Sequence, residues 1–318
     1  MSTDASPLLS LEGAVAADGR DAGVAAHYGS FHTEQRALVA GEGYVDLSHR
    51  GVVRVGGPDR LAYLHSLTTQ QFEGLEPGRS VWALVLSPQG HVEHAMQGSD
   101  DGEVFTAHVE PGSAPALVDF LNRMRFMMRV EVADVTDEVA TVWRRGEYSL
   151  LPRTELTTYA QAAGSACGLW AHEALRIERG EPRLGVDTDA RSIPNELGWV
   201  GDTAHSAVHL DKGCYRGQET VARVHTLGRP PRRLTLLHLD GSENRLPEPG
   251  TPLTYDGRAS GFVGSAARHH ELGPIALGLV KRNVPLDAAL DAEGMPVAQE
   301  MLVDPEVGMH VRPNLGRS

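Results

Sequence analysis

The chain has 318 residues but only two cysteines, Cys167 and Cys214. So few thiols leave no disulfide framework to build. A conventional iron–sulfur cluster takes about four Cys ligands, so the chain has no four-cysteine site of its own. Basic residues are also short: 29 Lys and Arg stand against 42 Asp and Glu, a formal charge of −13. That balance argues against an extended nucleic-acid footprint. No apolar run approaches the roughly eighteen residues of a membrane span. Residues 1–27 are rich in Ala, Gly, Asp and Ser and lack the basic start and apolar centre of a signal peptide. Neither a phosphate loop nor a dinucleotide glycine fingerprint occurs. The absences point to a cytoplasmic protein with a flexible N-terminal tail over 1–27 and no membrane or direct nucleic-acid partner.

What is present describes a globular chain of two or three domains, with 41% apolar and 22% charged residues. Val52-Val53-Arg54-Val55 reads as a strand, and Pro58-Asp59 then opens a helix whose Leu61, Leu64 and Leu67 share one face. Strand-like runs at Val81–Leu86 and His91–Met96 flank the turn sequence Ser87-Pro88-Gln89-Gly90. A longer helix is expected from Ala114 to about Met128, with Leu117, Phe120, Leu121 and Met124 at helical spacing and Met127 and Met128 filling core. Helices are also expected over Glu155–Ala163 and Ala171–Glu178. This order suggests two α+β sandwiches rather than a doubly wound sheet. After Pro230-Pro231, the short runs Arg232–Leu239, Thr251–Tyr255, Gly261–Ala266, Ile275–Val280 and Val297–Met301 are punctuated by Gly, Pro and Asp. Such punctuation marks a small β-barrel.

The chemistry concentrates in Lys212-Gly213-Cys214-Tyr215-Arg216-Gly217-Gln218-Glu219. A cysteine stands between two cations, and a thiol reacts as its thiolate, which nearby Lys or Arg favours. Gly213 and Gly217 permit a tight turn. Taken alone, these residues leave open that Cys214 is merely a small filler of a strand-to-helix turn.

The octapeptide resembles the K-G-C-Y-x-G-Q-E motif of the folate-binding YgfZ family, whose members are related to the aminomethyltransferase (T-protein) of the glycine cleavage system. The resemblance runs from about residue 40 to residue 285. It implies an α+β fold of two ferredoxin-like sandwich units around a folate cavity, followed by a C-terminal β-barrel. The implied division is a discontinuous first unit over 28–108 and 171–228, carrying the Cys motif, a second over 109–170, and a barrel over 229–318. Asp46-Leu47-Ser48-His49-Arg50-Gly51 looks like the Asp-Val-Ser-His-Met-Gly segment of T-proteins, though a strand-entry turn explains it equally well.

Carried over residue by residue, Glu196 in Pro194-Asn195-Glu196 would accept two N–H bonds from a pterin ring. Arg229, Arg232 and Arg233 resemble an arginine-rich joint that could pair with folate carboxylates or bridge domains. Where T-proteins have two aspartates, this chain has His94 and Ala95. Glu93 is a neighbour, but strand alternation sets it on the face opposite His94. Aminomethyl transfer is therefore disfavoured while folate binding survives, with His94 lining the folate site. Cys214 is what T-proteins lack. Tyr215 and Gln218 would position the ligand or close the turn, and the Gly217-Gln218-Glu219 part resembles shared architecture.

Fifteen histidines invite a metal site, but His91 and His94, His205 and His209, and the pair His269-His270 come without a third ligand at metal spacing. Two classes remain. The first is a tetrahydrofolate-binding accessory protein, not a classical enzyme, that assembles or repairs the iron–sulfur clusters of client proteins. Its reactive thiol, Cys214, would be favoured by Lys212 and Arg216 and face the folate cavity. The alternative is a folate-dependent one-carbon transferase of the aminomethyltransferase or demethylase type.

Overall fold

The structure is a computed structural model that describes residues 5–201 and 205–309. The chain enters through two short strands, β1 (Val15–Ala16) and β2 (Ala25–His27), then helix α1 (Phe31–Val39) and strand β3 (Gly43–Asp46). A contiguous block follows: β4 (Gly51–Gly56), α2 (Arg60–Leu67), β5 (Ser80–Leu86), β6 (Val92–Asp100), β7 (Val104–Val109), α3 (Ala114–Met124) and β8 (Glu131–Asp134). Next come β9 (Val139–Arg144), β10 (Glu147–Pro152), α4 (Leu156–Ala163), β11 (Ser165–Cys167) and α5 (Leu169–Glu178). A long irregular stretch leads to α6 (Gln218–Leu227). The last strands are β12 (Arg232–Leu239), β13 (Pro252–Tyr255), β14 (Arg258–His269), β15 (Gly273–Lys281), β16 (Leu290–Ala292) and β17 (Met295–Met301).

These elements form two sheet-and-helix units and a barrel, the α+β class the sequence implies. The contiguous unit is a sheet in the order β5-β6-β7-β4-β8 with antiparallel neighbours. Alternation along β4 and β5 sends Val53, Val55, Ala83 and Val85 to one face, where Tyr63 and Leu64 of α2 and Leu117 and Leu121 of α3 cover them. The other face, with Leu84, Leu86 and Val92, packs against Ala174 and Ile177 of α5, Leu234 and Leu236 of β12, and Leu277 of β15. That shared core locks the three bodies together. The second sheet, β10-β9-β3-β11, joins β3 to strands almost a hundred residues later. Strands β12-β15-β14-β13-β16-β17 close the barrel.

The structure draws the units in other places than expected. A boundary at 108/109 falls inside β7, and α3 and β8 belong to the sheet that β4 to β7 begin. The discontinuous unit combines α1 and β3 with residues 139–178, because β3 finds its partners in β9 and β11. Residues 171–228 instead span α5, the irregular stretch and α6.

The described part of the N-terminal segment is packed rather than flexible: Leu8, Val24, Ala25 and Ala26 are buried, and the Ser6 hydroxyl donates to Asp46. Its small residues carry no periodic signal, yet Ala26 lies close against Gly168 at the start of α5. Helix α3 stops at Met124, because Phe126 adopts φ +48°, outside the helical range. Met127 is therefore 96% exposed and not a core residue. No described helix is long and apolar enough to cross a membrane.

Candidate functional site

The octapeptide lies across three elements of the contiguous unit and ends as the first turn of α6. Lys212 is its anchor. The ammonium donates to the carbonyls of His65 and Thr68 (2.5 Å to the latter), at the C-terminal end of α2 where carbonyls lack helical partners. It also lies 5.1 Å from the Tyr215 ring centre. Burial pushes this lysine down to about 8. Tyr215 packs into the shared core, and Gln218 N donates to Tyr215 O at 3.2 Å. Gly217 caps α6 at φ +80°, and a Cβ there would sit 2.5 Å from Ser87 O. The Ser87–Gly90 turn therefore packs directly on the start of α6. Gly213 has no such need: its φ is ordinary, and a Cβ there would meet only His65 Nε2 at an ordinary 3.8 Å. Glu219 is exposed in the first turn of α6, where the positive helix end favours an acid.

Cys214 is free and exposed. The structure brings neither expected cation to serve it. Lys212 is committed to carbonyls, and Arg216 pairs with Glu93 (3.2 Å) while lying 5.8 Å over the Phe120 ring. Neither the small interior cavity nor the large cleft noted below is lined by Cys214, and the adjacent Tyr215 takes the inward position.

The hairpin that carries His94 corrects a second expectation. Val85 pairs with His94 but Leu86 pairs with Val92, so Glu93 is the extra residue of a β-bulge. Simple alternation fails there. Val92 faces the shared core, and His94 turns to the helix side, 5.9 Å from the Phe120 ring that Arg216 also covers. Burial pushes the His94 imidazole down. His94 thus lies on the helix side of the sheet, and the residue beside the shared core is Ala95. No carboxylate occupies that position.

Glu196 is 1% exposed, and both its oxygens are engaged. Arg232 donates Nε to Oε1 and Nη2 to Oε2, each at 2.9 Å, and Ile193 N donates to Oε2 at 3.2 Å. Arg232 also holds Asp189 at 2.6 Å. Burial works against the charged Asp189, yet Arg232 and local N–H donors hold it down at about 2. The adjacent Asn195 leaves its Oδ1 buried without a partner. An orphan acceptor beside a carboxylate is the chemistry a ligand edge donating N–H groups requires, with the Glu196 oxygens here taken by Arg232 and Ile193 N.

The other two arginines do not converge here. Arg233 is fully buried and donates to the carbonyls of Lys281 and Val284 and to Gln299, bracing the barrel. Arg229 is exposed beside Glu306. Among the described residues, no group of three His, Cys, Asp or Glu is arranged to hold a metal.

Sequence reasoning missed a buried charge network between the units. Arg176 pairs with Glu173 (2.7 Å) and Asp187 (3.1 Å), and Arg183 with Asp21 (2.6 Å) and Glu110 (2.8 Å). Burial would raise Glu173, but Arg176 and Arg183 outweigh it and hold it well below the usual range. The Tyr148 hydroxyl joins Glu181 and His172. A small interior cavity adjoins the network beside Ala95. On the far side of Arg183 lies a cleft of about 660 Å³, bounded by Asp18–Asp21, Trp170 and Arg268. The available signal was the density of charges in residues 173–187, which a helix-face reading takes for solvated residues.

No family model matches the chain. Among solved structures, the glycine cleavage system aminomethyltransferase T from Bartonella henselae superposes with a TM-score of 0.79, covering 96% of this chain and 99% of that one. At 16% identity the likeness concerns the fold. A chloroplastic protein of Arabidopsis thaliana that carries a transferase name is 27% identical over 80% of this chain and 69% of its own. A mitochondrial iron–sulfur cluster assembly factor homolog of Mycosarcoma maydis is 26% identical, over 59% of this chain and 55% of that protein. An aminomethyltransferase of Moorella thermoacetica is 24% identical over 80% of this chain and 82% of its own. These likenesses support the resemblance to the YgfZ family and its kinship with the T-protein.

Proposed function

We propose that the chain is a cytoplasmic, tetrahydrofolate-binding accessory protein that supports assembly or repair of iron–sulfur clusters in client proteins, with Cys214 as its working thiol. The observation that carries the reading is an exposed, free Cys214 on a turn fixed at both ends, by Lys212 on α2 and by Gly217 at α6. Iron–sulfur chemistry takes thiolate sulfur, and the other cysteine is buried. The relative named as an iron–sulfur cluster assembly factor supports the same class.

Glu196, Asn195 and Arg232 are the residues that would hold the pterin end of a folate, which would supply a carrier for a one-carbon unit. Arg232 neutralises Glu196 until N–H donors of a ligand replace part of its pairing. Asn195 Nδ2 donates to Val221 O of α6 at 3.5 Å, which ties this region to the helix the octapeptide opens. Calorimetry with tetrahydrofolate tests this part. Wild type and Cys214→Ser should bind alike, and Glu196→Gln should bind at least about tenfold more weakly. Absence of binding by wild type would remove folate from the account.

The aminomethyltransferase reading draws on the named relatives and the shared fold. It is disfavoured by Ala95, which puts no carboxylate at that position, while the carboxylates nearby, Glu110 and Glu181, are engaged by Arg183 and Tyr148. Production of methylene-tetrahydrofolate from an aminomethyl donor by the purified protein would reinstate it.

A further inference from the structure

From the last turn of α3 onward the chain reads Asn122-Arg123-Met124-Arg125-Phe126-Met127-Met128-Arg129-Val130, three arginines and no acid in a protein of charge −13. Two apolar residues at its tip face solvent. Phe126 is 82% exposed and Met127 96%, the highest values among the large apolar residues described. Phe126 also holds φ +48°, a left-handed conformation that a bulky side chain rarely adopts.

The base of this tip is fixed. Arg129 donates from its backbone N and its Nε to Asp59 Oδ2, at 2.8 and 3.0 Å, and from Nη2 to Oδ1 at 2.7 Å. A Cβ on Gly57 would sit 2.3 Å from Arg129 O, so the returning chain presses on the entry to α2. Met128 N closes onto Arg125 O at 3.0 Å. A strained residue persists where its surroundings over-determine it, and such positions gather at contact sites.

Arg123 and Arg125 are exposed and enter no ion pair among the described residues. Arg129 keeps 74% of its side chain in solvent despite Asp59. Aromatic residues, Met and Arg are the side chains enriched at protein interfaces. A surface that covers this tip needs an apolar pocket for Phe126 and Met127, rimmed by carboxylates for the arginines. The acidic charge of the whole chain opposes a broad anionic surface such as a membrane, whereas a small acidic rim meets only the tip.

The tip also stands near the octapeptide. Arg216 lies 5.8 Å over the Phe120 ring of α3, and six residues of helix, the step from Phe120 to Phe126, rise roughly 9 Å. A standard interface covers about 800 Å² of each partner, enough to reach from the tip to the turn that carries Cys214. We propose that Phe126 and Met127, flanked by Arg123, Arg125 and Arg129, are the docking knob for an acidic iron–sulfur client protein, which then lies across Cys214. The identity of the partner rests on the proposed function, which this inference deepens.

Photo-crosslinking in cells tests it, with p-benzoylphenylalanine in place of Met127 or, as a control, of Val39, 65% exposed at the end of α1. The expected product is a crosslink from position 127 to an iron–sulfur protein, with Asp or Glu flanking the linked residue, at least about tenfold above the control. Adding Arg123→Glu with Arg125→Glu should cut it at least about tenfold while the urea unfolding midpoint stays unchanged. Should that variant fail to fold, Arg123→Gln with Arg125→Gln reads the same dependence. No excess over the control, linkage to lipid, linkage only to proteins without a cluster, or indifference to the loss of charge would overturn the proposal. The Cys214→Ser background separates the knob from the thiol, since docking needs no sulfur and the crosslink should persist there at wild-type yield. A persistent crosslink beside fully restored iron–sulfur enzyme activity removes the thiol and keeps the knob. A missing crosslink beside lost activity removes the knob and keeps the thiol.

Discussion

The two cysteines of this chain live in opposite surroundings. Cys167, the last residue of β11, is 1% exposed, with its Sγ 3.5 Å from the carbonyls of Glu34 and Ser165. Burial, helped by the charge of Glu34, pushes its thiol up to about 12. Cys214 is exposed on a turn between two cations in sequence, yet both cations bond elsewhere. The lesson is that neighbours in sequence are not neighbours in charge. What sets Cys214 apart is access and a rigid mount, with Lys212 serving as a helix anchor.

The comparison breaks most easily by thiol labelling. Native protein treated with iodoacetamide at pH 8 should be modified at Cys214, with Cys167 slower by at least about a hundredfold, since about one Cys167 in 10⁴ is a thiolate there. Peptide mapping reads both sites, and comparable rates would erase the distinction.

Next in size is the mount. Gly217→Ala meets Ser87 O and an unfavourable φ and should lose about 2–4 kcal/mol in urea unfolding. Gly213→Ala beside the same sulfur should stay within about 0.5 kcal/mol of wild type. Lys212→Met should cost about 1–3 kcal/mol through the orphaned carbonyls of His65 and Thr68. A Lys212→Met protein as stable as wild type would return that lysine to the thiol.

The smallest effect belongs to a control far from both sulfurs. Asp189, held at about 2 by Arg232 against its burial, has a lowered folded-state value. Its contribution is therefore present above the unfolded value of about 4 and lost as pH falls from there to about 2. Asp189→Asn should flatten that acid limb of a Tm-versus-pH curve without changing Cys214 labelling.

Much of the fold was legible because it rests on periodicity. The run Arg232–Leu239 matches β12 residue for residue, and the helices at 156–163 and 169–178 lie within two residues of their expected starts. What escaped has physical causes. The bulge at Glu93 and the left-handed Phe126 are single-residue departures that no periodic pattern carries. The Ala-rich packing at residues 24–26 buries little surface per residue and gives no amphipathic signal.

For the candidate site, Glu196 was expected to accept from a pterin ring, and its pairing with an arginine went unread. Which arginine it was could not be read from Arg229, Arg232 and Arg233, because barrel alternation decides that Arg232 faces Glu196 and Arg233 the barrel interior. The tip at Phe126 and Met127 went unread because its apolar residues read as a continuing helix face.

The most direct test of the central claim is the activity of iron–sulfur enzymes in cells whose sole copy of this protein is Cys214→Ser, alongside Cys167→Ser. The account predicts that Cys214→Ser accumulates as a folded protein yet leaves those activities at the level of the deletion, while Cys167→Ser, where it folds, restores them. Full restoration by Cys214→Ser would contradict it.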